Sequence, residues 1–188
     1  MLFEIGEMGE HVWISAFQSH CPNVTQLLAD TSKKFPDTYT QLVDLDKVAG
    51  SRYLFVATYN ALKSFNSKRR ISRSLPMEIL LYIAADRQIA EAIKHVGVSS
   101  ETEKTAAIVL GHTREVVSAV GTYLTETIKH SPADSLLDEW TEKRTKNVRS
   151  ALDIRDKELN AILRKGEDPV KGVERLAIER SALLTVRK

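Results

Sequence analysis

Seven consecutive residues, Thr105-Ala106-Ala107-Ile108-Val109-Leu110-Gly111, make a short and nearly unbroken apolar run. A run of this kind reads as a central β-strand covered on both faces, because neither side carries the polar residues that water would meet. It commits the chain to a sheet with strands on either side and helices over its faces.

Other segments supply the partners. Val12-Trp13-Ile14-Ser15-Ala16-Phe17 is β-branched and aromatic and reads as a strand, and Leu2–Ile5 is a weaker one. Pro22 and Asn23 break the chain and offer a cap for an amphipathic helix ending near Lys34. Pro36-Asp37 then turns into a strand over Tyr39–Val43. From Lys47 to Phe65 the period becomes helical, with Leu54, Ala57, Ala61 and Phe65 on one stripe. Pro76 fits the first turn of another helix, with Ser74 as its cap and Leu75, Ile79 and Ile83 as its buried stripe. Asp86 caps a short helix carrying Ile89, Ile93 and Val96 that stops at Gly97. Thr113 caps a helix through Val116, Val120, Leu124 and Ile128. Three more helical segments follow near 142–152, 156–164 and 169–186, the last opened by Asp168-Pro169. The expectation is an α+β (mixed α/β) fold: one small mixed sheet of about four strands flanked by helices, with an all-helical C-terminal third. It is read as a single domain over 1–188, with a sheet-and-helix core over 1–130 and a helical part over 131–188.

Composition serves mainly to exclude. With 188 residues, 43% hydrophobic and 28% charged, the chain has the balance of an ordinary globular protein. No apolar run approaches the roughly 18–20 residues of a membrane span, and the opening Met-Leu-Phe-Glu-Ile-Gly-Glu has acids where a secretory signal carries base. Cys21 is the single cysteine, so there is neither an internal disulfide nor a multi-cysteine zinc site. The chain is therefore expected to be intracellular, cytoplasmic and without a metal or cofactor. It holds no GxxxxGK[ST], GxGxxG, HExxH or GxSxG. Three weak constellations remain: the Gly111-His112-Thr113-Arg114 turn as an anion site, Asp44 with Asp46 as an acid–base or Mg²⁺ pair, and His11 with His20 and Cys21. Each is better explained by turns, caps and an unreactive thiol, so an enzyme is not expected.

Two regions stand out. From Lys63 to Arg73 there are five basic residues and no acid, although the whole chain is near balance at 27 basic against 25 acidic. Eight basic residues between Asp138 and Lys165 are interleaved with six acids, the pattern of a solvated helical face. Lys68, Arg69, Arg70 and Arg73 gather before a helix start, Ser72 and Ser74 add hydroxyls, and Phe65 and Ile71 offer flat or apolar surface. That combination suits single-stranded nucleic acid, and the alternative is a solvated basic loop that keeps the protein soluble. The final helix is apolar on two sides, with Val173, Leu176, Ala177, Leu183 and Leu184 on one face and Ile178, Ala182 and Val186 opposite. Such a helix is either fully buried or docked against a partner, and a C-terminal element is the easier one to offer to another protein.

The segment Arg70-Ile71-Ser72-Arg73-Ser74-Leu75-Pro76-Met77-Glu78-Ile79-Leu80-Leu81-Tyr82 resembles the signature of the TPRKB-like, PRPK-binding subunit of the KEOPS complex, especially its archaeal members. The resemblance continues through Asp86–Ala92, Val96-Gly97-Val98 and Ala107–Gly111, and closes on Leu176–Leu184. It implies a non-catalytic subunit of the machine that installs threonylcarbamoyl-adenosine in transfer RNA. Such a subunit binds the complex's small atypical kinase/ATPase and captures tRNA, including its single-stranded CCA 3′ end. Carried over, the RNA motif falls on Lys68, Arg69, Arg70, Ser72, Arg73 and Ser74, and the kinase-docking helix on Leu176, Ile178, Ala182, Leu183 and Val186. The alternatives are an adaptor or kinase regulator that binds no RNA, and, least favoured, a small enzyme.

Overall fold

Every residue except His20, Pro22, Lys68, Arg187 and Lys188 is described by the structure, a computed structural model. The chain gathers into two compact units, each made of two separate stretches. The first comprises Met1–Leu45 and Gly97–Leu137, and the second Asp46–Val96 and Asp138–Lys188.

The first unit holds the sheet. Strands β1 (Leu2–Ile5) and β2 (Glu10–Phe17) form a hairpin, helix α1 (Val24–Lys34) follows, and β3 (Thr38–Asp44) returns to the sheet. Asn23 caps α1 by accepting the amide of Gln26 at 3.1 Å. Strand β4 (Thr105–Gly111) lies between β2 and β3 in the order β1-β2-β4-β3, with every one of its residues buried. This is the central strand that the apolar run demanded, and the α+β class is as expected.

The sheet is antiparallel at every described pairing, not mixed. The reason lies in the connection. β2 and β3 run in the same direction, joined by α1 as in a β-α-β unit, but β4 is inserted between them and opposes both. Helix α5 (Arg114–Ile128), capped by Thr113 on the amide of Val116, covers one face. Its Val117, Val120 and Leu124 pack with Phe17, Leu27, Leu42, Ala107 and Val109. Gly121 brings α5 close to the sheet: a Cβ there would stand 2.8 Å from the Trp13 ring.

The second unit is helical. Helices α2 (Ser51–Phe65), α3 (Leu75–Ala84) and α4 (Ile89–Val96) precede the excursion into the sheet, and α6 (Glu142–Ala151), α7 (Asp156–Ile162) and α8 (Pro169–Ala182) follow it. The sequence suggests a one-sided stripe on α3, yet eight of its ten residues are buried. It packs against α2, α4 and α8, so no side is left for water. Tyr53 of α2 donates its hydroxyl to the carbonyl of Ile83 within this core. On α4, Ala92 and Val96 are buried while Ile89 and Ile93 remain 45% and 48% exposed.

Candidate nucleic-acid and partner-docking surface

Leaving α2 at Phe65, the chain runs through a loop into α3, and this loop holds the basic run apart from Lys63, which lies in the last turn of α2. Its shape is set from within. Glu78, the fourth residue of α3 and wholly buried, accepts the amide of Ile71 on both carboxylate oxygens, at 3.1 and 3.0 Å, and that of Ser72 at 2.7 Å. Ser72 is buried as well, and its hydroxyl donates to the carbonyl of Ser74 at 2.7 Å. Its oxygen therefore serves the loop and does not face outward with the arginines. Ser74 occupies the N-cap position of α3 but makes no side-chain cap bond, so the capping expected of it is absent. Pro76 stands in the first turn, as expected.

With the backbone held, Arg69, Arg70, Arg73 and Ser74 project into solvent. Among the described residues none of these arginines is ion-paired to an acid. Arg70 instead stands 5.7 Å from the centre of the Phe65 ring, a cation–π contact. Lys68 lies outside the described residues. A loop of unneutralised arginines beside an aromatic ring can attract phosphate and support a base.

Sequence reasoning missed the pocket behind this loop. Lys63, Ser64, Ser67 and Arg69 line a cavity of about 210 Å³ together with Ala182 and Thr185 from the end of α8. The Ser64 hydroxyl there is buried and unpartnered, and Lys63 sits 5.6 Å from the Tyr59 ring. Lys63 opens the basic run and its spacing from Tyr59 is visible in sequence. Thr185 gives no such signal, because it lies more than a hundred residues from the loop it joins.

Helix α8 ends at Ala182, four residues earlier than its periodicity suggests. Val173, Leu176 and Ala177 are buried, so the docking candidate Leu176 belongs to the core. Ile178 is half-buried and Ala182 exposed. The wheel puts Leu183 on the buried face, but it is the C-cap residue and 37% exposed. Once the helix stops, the wheel no longer assigns its direction. Val186 is 65% exposed. Ile178, Ala182, Leu183 and Val186 thus supply the apolar surface at this end.

The structure gives the residues of the three weak constellations the following partners. Asp44 accepts the Thr102 hydroxyl at 3.1 Å, and Asp46 pairs with Lys143 at 3.6 Å. At the Gly111–Arg114 turn, the His112 ring lies 3.0 Å from the Glu10 carboxylate. Burial pushes the Glu10 carboxyl up, while His112 and His11 pull it down. Cys21 is buried and its thiol pushed up by that burial, and His20 lies outside the described residues. Among the described residues no three His, Cys, Asp or Glu side chains are placed to hold a metal, and no helix is long and apolar enough to cross a membrane. A larger cavity of about 690 Å³ beside α6 is lined by both signs, Glu142 and Asp153 against Lys146 and Arg149, and has no one-sided field.

Comparison with known families finds a match over residues 20–184 to the family described as kinase binding protein CGI-121. No curated protein matches the chain.

Proposed function

Because the chain belongs to the CGI-121 family of kinase-binding proteins, the TPRKB-type subunits of KEOPS, we propose that it is the non-catalytic subunit that couples the complex's kinase to its RNA. In this reading the small atypical kinase/ATPase docks on the end of α8 through Ile178, Ala182, Leu183 and Val186, with Leu176 fixing the helix from beneath. Transfer RNA, including its single-stranded CCA 3′ end, lies on Arg69, Arg70, Arg73 and Ser74, joined by Lys68, while Ser72 shapes the loop. The assembly acts in the cytoplasm in tRNA threonylcarbamoyl-adenosine modification and needs no cofactor from this chain.

One observation carries the RNA half: three arginines without an acidic partner among the described residues stand on a loop whose backbone is fixed by a buried carboxylate. A basic segment present only for solubility has no use for such internal order. Preorganisation lowers the entropy lost on binding. The kinase half rests on the family's description together with the apolar residues left exposed at the end of α8.

Both halves have direct tests. Binding to tRNA with and without its CCA end is measured across a salt series, for the native chain and Arg70→Ala/Arg73→Ala. The native chain should prefer the intact end. The variant should stay folded, bind weakly, and show a salt slope shallower by about one for each phosphate it no longer neutralises. Equal binding by the folded variant would leave an adaptor without RNA. For the kinase, Ile178→Asp or Ala182→Asp should abolish association, since each buries a charge in an apolar contact. Normal association would move the interface elsewhere.

A further inference from the structure

The sequence presents the basic loop and the final helix as two features more than a hundred residues apart. The fold makes them walls of one cavity, with Lys63, Ser64, Ser67 and Arg69 on one side and Ala182 and Thr185 on the other. Ala182 belongs to both surfaces, since it lines the cavity and is one of the exposed residues offered to the kinase. From this juxtaposition, and resting on the function proposed above, we propose that this cavity, which shares Arg69 with the RNA surface, takes the RNA end and is completed by the protein partner: kinase bound to the end of α8 raises the affinity of the cavity for the RNA end, and RNA raises the affinity for kinase.

The physical reason has two parts. The α8 wall is continued past the helix by a short stretch of turns. Beyond Ala182 the chain continues as turns, tied by the amides of Leu183, Leu184 and Val186 to the carbonyls of Glu179, Ser181 and Leu183, with Leu184 as the buried side chain in that stretch. A protein seated on Leu183 and Val186 fixes the segment that carries Thr185. The cost of ordering the wall is then met before the RNA arrives. The same protein removes water from that side of the cavity, and the attraction of Lys63 and Arg69 for phosphate strengthens as the local dielectric falls. The Ser64 hydroxyl, in the last turn of α2 behind this wall, is buried and without a hydrogen-bond partner. Coupling of this kind is reciprocal, so the two affinities must change by one common factor.

The test uses the full chain, the purified kinase subunit and a short single-stranded RNA ending in CCA, too short to reach far beyond the pocket. RNA affinity is measured without and with saturating kinase, and kinase affinity without and with saturating RNA. Both should tighten by the same factor, on the order of tenfold. Thr185→Glu, which faces Lys63 and Arg69 with an acid, should weaken RNA binding and bring the factor close to one, while Thr185→Ser keeps it. Affinities that do not depend on one another would overturn the coupling and leave both binding surfaces standing. So would competition, with RNA held more weakly in the presence of kinase. A factor that survives Thr185→Glu would place the route outside this pocket and overturn the inference too. Failure of either partner to bind the native chain at all would instead remove the proposed function, and the coupling with it.

Discussion

Glu78 has no exposed surface, and its carboxylate is spent on the amides of Ile71 and Ser72. Removing it strands two backbone donors and frees the loop that carries the arginines. Glu78→Ala should cost about 3 kcal/mol, because each buried donor left unpaired costs about 1–3 kcal/mol. It should also weaken RNA binding although no cation is removed, whereas Glu78→Gln keeps part of both. Urea unfolding alongside RNA titration reads the two effects, and an Ala variant as stable as the native chain would show the loop to be held by something else. Arg144 carries a similar lesson. It falls in the charge-interleaved stretch that reads as a solvated face, yet it is 2% exposed. Its guanidinium donates to the Val48 carbonyl at 3.1 and 3.0 Å and to the Glu139 carbonyl at 2.6 Å, and lies 5.2 Å from the Trp140 ring. Burial pulls its pKa down, opposed by Asp46, Asp138 and Glu139. Composition reveals how many charges a stretch holds, and only packing decides which of them leaves water.

Among the elements, α8 shows where a helical wheel stops being informative. Its buried residues follow the wheel as far as Ala177, and the disagreement begins at Leu183, the first residue after the helix ends. The helix is also held electrostatically, from its middle at Arg175 to its last turn at Arg180. Arg175 donates to Glu167 at 2.9 Å and to the Ile162 carbonyl at 3.1 Å, and Arg180 donates to Glu158 at 2.9 Å. The Arg175 guanidinium, helped by the amide of Arg164, lowers the Glu167 carboxyl from 4.5 to about 2. Glu158 is lowered too, first by the amide of Arg155 and then by Arg180. A carboxyl whose pKa is depressed by folding contributes stability that is complete above its unfolded pKa and lost as pH falls through the folded one. Urea midpoints should therefore drop between pH 4.5 and about pH 2, and the drop should be shallower in Arg175→Met. Parallel curves for the two proteins would deny the pair this role.

At the scale of the whole molecule, the strands, the helices and most caps are legible because they are local. Alternation, period and a capping side chain act within a few residues, and the Asn23, Thr113 and Asp168 caps form as read. The central strand is equally legible, since a run as apolar as Thr105–Gly111 has nowhere to go but the middle of a sheet. The arginine loop and the exposed end of the final helix also announce themselves, by charge and by surplus apolar surface. Long-range pairing decided the rest: the insertion of β4 between β2 and β3, the interleaving in sequence of two discontinuous units, the burial of Arg144, the carboxylate of Glu78 under its loop, and the lining of one cavity by both Lys63 and Thr185. Each depends on which surfaces find one another across tens to hundreds of residues. A one-dimensional pattern states which residues must leave water, and it does not state against what.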